Sequence, residues 1–364
     1  MSLHCSELPQ AVQELIREGT IIPAHPLALN AQREFDGRRQ RALTHYYVDS
    51  GVGGLAVGVH TTQFEIRDVG LYEPVLRLAA STARELTSRP LVLVAGICGR
   101  TEQAVQEAAL AVSLGYHAGL LSLAALKGAS EDDIIAHCEA VARVMPLVGF
   151  YLQPSVGGIP LSVDFWRRFA LIDNVIAIKV APFNRYHTLD VLHGVAAARA
   201  EDKVTLFTGN DDHILLDLTV PFDIRCDGRT TRLRFKGGLL GHWSVWTSTA
   251  VRIFERCRLA SRSDVVDADL LALDARITDC NAAFFDVHNG FRGCIAGCHE
   301  VLRRQGLLAT NACLNPEEGL SPGQREEIDR VLEQHADLSD DDFVAQNLQR
   351  WLACMPNPSS ACRT

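Results

Sequence analysis

Short apolar runs rich in β-branched residues alternate along this chain with longer stretches in which apolar positions recur at helical spacing. Residues 7–18 carry the helical period, TIIPAHPLA from Thr20 reads as a first strand, and 31–49 reads as a helix ending at Gly51. GLAVGV (54–59), PLVLVAG (90–96), AGLLSL (118–123), PLVGFY (146–151), NVIAIKVAP (174–182) and KVTLFTG (203–209) follow as strands. Helical patterns separate them, one running to about Ser88 and others over 101–114, 131–144, 162–170 and 188–199. Seven strands, each followed by a helix, imply parallel βαβ units. A repeat sustained this long favours a closed (β/α)₈ TIM barrel of the α/β class over a doubly wound sheet. The eighth strand is expected near KGGLLGHW (236–243).

Two segments leave the pattern. PFDIRCDGRTTRLRFKGG has two alternating runs about Asp227-Gly228, which predicts a β-hairpin inserted at one end of the barrel, over about 221–238. It carries Arg225, Arg229, Arg232, Arg234 and Lys236, cations that would reach a ligand if the hairpin covered the barrel mouth. Beyond Trp246 the pattern is helical to about Trp351, so the barrel is assigned to 1–260 and a C-terminal helical domain to 261–355. The last residues, PNPSSACRT (356–364), read as a disordered tail.

One position stands out within the strands. Lys179 sits in NVIAIKVAP, an otherwise uncharged and mostly apolar run. A buried unpaired ammonium costs several kcal/mol, roughly, and desolvation lowers its pKa, giving the neutral amine that attacks carbonyls. A lysine that only caps a strand, its stem in the core and its head snorkelling to water, has the same sequence. The residues at the other strand ends decide between the two. Barrel enzymes build their sites from the βα loops at the C-terminal ends of the strands. Here those ends supply His25 after strand one, His60, Thr61 and Thr62 after strand two, and Tyr151 at the end of strand five. Gly209 through Asp212 follow strand seven, and His242 and Ser244 follow strand eight. Singly each has a bland reading: the threonines and Asp211 or Asp212 as helix caps, Tyr151 as core. Together they offer an amine nucleophile, a phenol that moves protons, and donors for a carboxylate.

Composition narrows the partners. At 364 residues, 47% hydrophobic and 22% charged, the chain has ample core for a soluble globular protein. A net charge of −9 and the lack of a basic patch argue against nucleic acid and anionic membranes. The start MSLHCSELPQ lacks the features of a signal peptide and no apolar run approaches bilayer length, so a cytoplasmic protein is expected. Eleven scattered cysteines do not form a disulfide framework. Two motifs are set aside. Gly51-Val52-Gly53-Gly54-Leu55-Ala56 fits G-x-G-x-x-A but precedes a strand, the reverse of a dinucleotide fingerprint. Cys294 and Cys298 share a helix face with His299 adjacent, but nothing completes a metal site.

From about Ile21 to Val331 the chain resembles the dihydrodipicolinate synthase / N-acetylneuraminate lyase family of class I Schiff-base aldolases. His60-Thr61-Thr62 with Glu65 is similar to that family's Gly-Thr-Thr-Gly-Glu loop, Tyr151-Leu152-Gln153-Pro154 to its Tyr-Asn-x-Pro motif, and LFTGNDD (206–212) to its Ser-Gly-Asp-Asp turn. NVIAIKVAP resembles its lysine strand, and Phe284-Phe285 through Asn289 the opening of its C-terminal helices. The resemblance implies a lyase in which Lys179 forms a Schiff base with a 2-oxo acid such as pyruvate. Tyr151 would be the general acid and base, and Thr61 and Thr62 would anchor the carboxylate, with His60, Gly209, His25, His242 and Ser244 around the substrate. It implies no metal and no organic cofactor, an aldehyde as second substrate, and a homo-oligomer, dimer or tetramer. Where the synthases carry an arginine after the tyrosine motif, this chain reads Pro154-Ser155-Val156-Gly157-Gly158, which argues against authentic dihydrodipicolinate synthase activity. The aromatic pair expected after strand four is also missing from LLSLAALKG (120–128). Two other readings stay open: a metal-dependent enzyme using His25, His60 and His242, and a non-catalytic 2-oxo-acid-binding relative.

Overall fold

The computed structural model describes residues 2–263 and 265–353; the expected tail at 356–364 lies outside the described residues. Strands β1 (Ile21–Pro23), β2 (Gly54–Val57), β3 (Val92–Ile97), β4 (Ala118–Leu121), β5 (Leu147–Leu152), β6 (Val175–Ala181) and β7 (Thr205–Thr208) appear where the apolar runs predict them. A hairpin of β8 (Phe222–Cys226) and β9 (Arg229–Leu233) precedes β10 (Phe235–Leu240), which completes one parallel sheet in the order β1-β10-β7-β6-β5-β4-β3-β2. The seam between β1 and β2 is closed by His25 N–H donating to the Ala56 carbonyl at 2.8 Å and Gly53 N–H to that of Ile21 at 3.1 Å. The result is an eight-stranded barrel ringed by helices.

Alternation along each strand divides the core into two layers. Inside the barrel pack Ile22, Ala56, Val94, Leu120, Phe150 and Phe207; the helix Gln10–Glu18 closes its lower end with Val12 and Ile16. Outside, against the helices, pack Ile21, Leu55, Leu147, Ile178, Val180 and Leu240. The pattern after strand two differs from expectation: the chain forms 3₁₀ turns at His60–Thr62 and Phe64–Arg67 before a helix begins at Tyr72. Gln63 between them has a left-handed φ of 69°, which interrupts continuous helix.

The hairpin turns at Asp227 and Gly228, both with positive φ, as the Asp-Gly pair predicts. It sits at the end of the barrel where strands begin. Phe222 packs on Phe235, the first residue of β10, with centroids 5.8 Å apart, and Arg229 pairs with Glu201, which precedes β7. Its cations are therefore remote from the lysine end, and the idea that they cover the mouth is corrected. The helix before the hairpin, Ile214–Thr219, has only 6 residues.

After β10 the chain is helical: Thr247–Ala260, Ala268–Phe284, Cys294–Arg304, Gln324–Gln334 and Asp341–Ala353. The last of these returns to the barrel. Trp351 packs on Tyr46 at 5.7 Å and its indole donates to Asp49 at 2.7 Å, while Tyr46 donates to Asp340 at 2.8 Å. That clamp ties the last helix to the barrel helix Gly37–Ser50. Among the described residues no helix is long and apolar enough to cross a membrane.

Candidate active site

β6 places Lys179 in register with Phe150 of β5 and Phe207 of β7. Neighbours in register on parallel strands share a face, so the lysine stem runs into the barrel beside two phenylalanines. Its ammonium nitrogen lies 4.4 Å from the centroid of Phe150, and the residue is 9% exposed. Space for the stem comes from Gly209: a Cβ there would stand 2.6 Å from Lys179 Cε and 2.7 Å from the Ala181 Cβ. Any side chain at 209 would displace the lysine.

The loops after β6 and β7 are tied to each other. Asp217, fully buried, accepts from Thr208 Oγ1 at 2.7 Å and Asn210 Nδ2 at 3.0 Å and pairs with Arg185. Asn210 Oδ1 in turn accepts the Phe183 N–H at 3.2 Å, holding that residue at φ 49°, and Asn184 caps the following helix. Phe183 is thereby turned over the mouth, where it meets Phe291 of the C-terminal segment at 5.7 Å between centroids.

The cavity so formed is lined by His60, Thr61, Lys179, Gly209 and Asp211, with walls of Phe150, Val156, Phe183, Phe291, Cys294 and Cys298. A wider vestibule outside it shares His60, Val156, Phe291 and Cys294, and adds Glu65, Glu317 and Glu318 against a single arginine, Arg292. In the inner cavity burial sets the electrostatics. Desolvation pushes Lys179 down from the usual lysine range, opposed in part by Asp211, and pushes Asp211 up from the usual carboxylate range. Burial thus disfavours the charge on each group, while each one's charge favours the other's. His60 is pushed down to about 4, first by burial and then by the lysine charge. Burial holds Cys294 up at about 12, so that thiol stays protonated.

Of the predicted residues, Lys179, His60, Thr61 and Gly209 meet in this cavity. Tyr151 does not, which corrects the expectation that its phenol faces the lysine. It is paired with Val180 and therefore points to the outer face of the barrel. Its ring packs on Trp166 and His187 at 5.2 and 5.7 Å, and its hydroxyl accepts from the Leu161 N–H at 3.3 Å. Thr62 is also corrected: its hydroxyl accepts from Gly58 N–H at 3.0 Å and donates to the His25 carbonyl at 2.7 Å, which shapes the turn and leaves no hydrogen for a carboxylate. His25 lies behind the wall, bonded through its two ring nitrogens to Thr44 at 2.9 Å and to Gln40 at 2.9 Å. Ser244 is fully buried and donates to the Ala24 carbonyl, pinning the turn after β10. The His242 ring stacks on Phe284 outside the cavity, at 6.5 Å and 12°. What His242 contributes is its main chain: its N–H donates to Asp211 Oδ1 at 3.0 Å. Among the described residues no three His, Cys, Asp or Glu side chains converge as a metal site requires, so the His25, His60, His242 set is not assembled.

Asp211, Phe150 and the C-terminal wall were missed. Asp211 was legible as a charge at a strand end but was indistinguishable from a helix cap. Phe150 was legible only as one of two alternating sets in VGFYL, with nothing in composition to say which set faces inward. Cys294 and Cys298 were recognised as one helix face, without a sign that the face closes the lysine cavity.

Known proteins bear on the same site and fold. The sequence model of the dihydrodipicolinate synthetase family matches residues 18–223. N-acetylneuraminate lyase 2 of Escherichia coli O6:H1 is 22% identical over 326 residues, 86% of this chain and 95% of that protein. The 4-hydroxy-tetrahydrodipicolinate synthase of Anaeromyxobacter dehalogenans is 26% identical over 258 residues, covering 69% and 77%. Among solved structures, the dihydrodipicolinate synthase from Acinetobacter baumannii complexed with pyruvate superposes with a TM-score of 0.70 at 17% identity, over 86% of this chain and 98% of that one. CdNal from Clostridium difficile, in complex with mannosamine, gives 0.69 at 16% identity, over 87% and 98%. The two structures share the fold, and the family match covers the barrel from before β1 to the hairpin, including the lysine strand: the chain belongs to the dihydrodipicolinate synthetase family and is a carbon–carbon lyase of the class I aldolase type.

Proposed function

We propose that the protein makes or breaks a carbon–carbon bond between a 2-oxo acid of pyruvate type, held as a Schiff base on Lys179, and an aldehyde without a negative charge. The observation that carries this reading is the buried amine of Lys179, inside a mostly apolar cavity at the strand C-termini. Such a site keeps a fraction of the amine neutral near pH 7, the form that attacks a carbonyl. The pyruvate bound by the Acinetobacter relative supports a 2-oxo acid as the first substrate. Thr61, which lines the cavity, and its turn would take the carboxylate, beside a neutral His60. For the second substrate the surroundings are Val156, Phe183 and Phe291 within and the carboxylates Glu65, Glu317 and Glu318 without. These surfaces disfavour an acidic aldehyde, because they offer it a single cation among three like charges.

Borohydride trapping tests the reading. Pyruvate plus borohydride is expected to add the mass of the reduced adduct to the peptide containing Lys179, and Lys179→Met is expected to lose it. Folded protein that gives no adduct with pyruvate or with a panel of small 2-oxo acids would refute the Schiff base.

A further inference from the structure

With Tyr151 on the outer face of β5 and Phe150 in the inward position beside Lys179, the phenol expected to move protons is absent from the cavity. The reaction still needs such a group, since imine formation expels water and carbon–carbon bond making or breaking moves a proton to or from oxygen. Beside Lys179 and the Thr61 hydroxyl, which is too weak an acid and base to titrate, the proton-carrying side chains of the cavity are few: His60 from the turn after β2, Asp211 from the loop after β7, and the thiols Cys294 and Cys298 from the C-terminal helix. The thiols are held protonated by burial, Cys294 at about 12, and are poor bases at neutral pH. His60, at about 4, is neutral near pH 7: its remaining N–H is too weakly acidic to give up and its bare nitrogen is a weak base.

Asp211 is placed differently. Its side chain faces the same space as the lysine, and it is anchored rather than mobile: Oδ1 accepts from the His242 N–H at 3.0 Å, and Asn281 Nδ2 holds the Asp211 carbonyl at 2.6 Å. A Cβ on Gly241 would stand 3.6 Å from Oδ2, so a glycine borders the second carboxylate oxygen and leaves room beside it. The neighbouring carboxylate Asp212 adds a like charge, which together with burial favours the protonated acid.

We propose that Asp211 is the proton carrier of this aldolase, taking the part that the outward-facing Tyr151 cannot; the proposal rests on Schiff-base formation at Lys179. The neutral amine bonds to the keto carbon while the carbonyl π pair moves to oxygen, and one nitrogen proton passes to that oxygen to give the carbinolamine. Asp211 then protonates the hydroxyl, water leaves, and an iminium and an Asp211 carboxylate remain. The carboxylate removes a proton from the adjacent carbon to form the enamine. The regenerated acid delivers that proton to the aldehyde oxygen as the enamine carbon bonds to the aldehyde carbon. Amine, acid and charge return to their starting state when water hydrolyses the product imine. Cleavage runs the same steps in reverse.

The test follows the rate of borohydride-trapped pyruvate adduct on Lys179 in the wild type, Asp211→Asn, and Asp211→Ala with and without added formate. Asp211→Asn keeps the Oδ1 acceptor for His242 and is expected to slow adduct formation by about 10²–10⁴-fold, with unchanged melting. Asp211→Ala is expected to recover part of its rate with formate, a small acid able to enter the space left. A wild-type adduct formed equally fast by Asp211→Asn overturns the proton carrier and leaves the Schiff base intact. No adduct in the wild type overturns both. If neither variant folds, the wild-type pH profile of adduct formation decides: a rate that falls as pH rises through a group well above the ordinary carboxylate range supports Asp211 as the acid, and a profile without that alkaline limb refutes it.

Discussion

Phe150 and Lys179 occupy the same rung of adjacent strands, with the ammonium nitrogen 4.4 Å from the ring centroid, while Tyr151 is turned to the other face against Trp166. A shift of one residue in a strand exchanges its inner and outer sets entirely. That single parity separates a tyrosine in the motif from a tyrosine in the mechanism.

Tyr151→Phe is accordingly expected to keep turnover within about twofold. It removes one acceptor for the Leu161 N–H, a neutral hydrogen bond whose loss costs about 0.5–1.5 kcal/mol of stability. Steady-state kinetics and thermal melting on the same preparation check both halves. A loss of two orders of magnitude in kcat with unchanged melting would return the phenol to the mechanism.

Specificity is the second expectation. Val156 offers no donor, and the hairpin arginines lie at the opposite end of the barrel. An uncharged aldehyde should therefore exceed aspartate semialdehyde in kcat/KM by at least about tenfold, the scale of one missing charge-assisted contact. Arg229→Ala should leave that ratio unchanged, and Val156→Arg should narrow it. A wild-type preference for the acidic aldehyde, lost in Arg229→Ala, would contradict the placement of both.

Stability should fall in mild acid. His25, His60, His117, His242 and His299 are each pushed down to about 4 by burial, from an ordinary 6.5. Between those values the unfolded chain binds more protons than the native one, so stability rises with pH across the window and is lost as pH drops from 6.5 toward 4. Asp211, Asp212, Glu318 and Asp340, raised by burial, act with the opposite sign, but His45 and His137, also pushed down by burial, add to the five. Urea midpoints at pH 7.5 and 5 should therefore differ clearly, and His299→Gln should lessen the difference. A midpoint unchanged between the two would refute the buried neutral imidazoles.

The barrel was legible because eight apolar runs at even spacing leave few other solutions, and Asp227-Gly228 fixed the hairpin turn by its backbone preference. Lys179 and Gly209 were legible as well, one by its charge and the other by the family's turn. Roles that depend on direction were not. Thr62 and Ser244 stand beside the site in sequence, but their hydroxyls close turns; His25 stands there too, but Thr44 and Gln40 hold its ring. The partners just named come from 15 to 220 residues away, as with His25 and Gln40 or Ser244 and Ala24, and no local pattern announces them.

The meeting of Phe183 and Phe291 has a bearing on how this enzyme can change. One ring belongs to a barrel loop and the other to a segment that starts after the barrel is complete, and each is held at a left-handed backbone angle. The rim of the reaction chamber is thus a mosaic of two stretches that can vary independently. Insertions or substitutions around Phe291 can remodel what enters while leaving every barrel strand intact, so new substrate ranges are accessible by drift in helices that carry none of the chemistry.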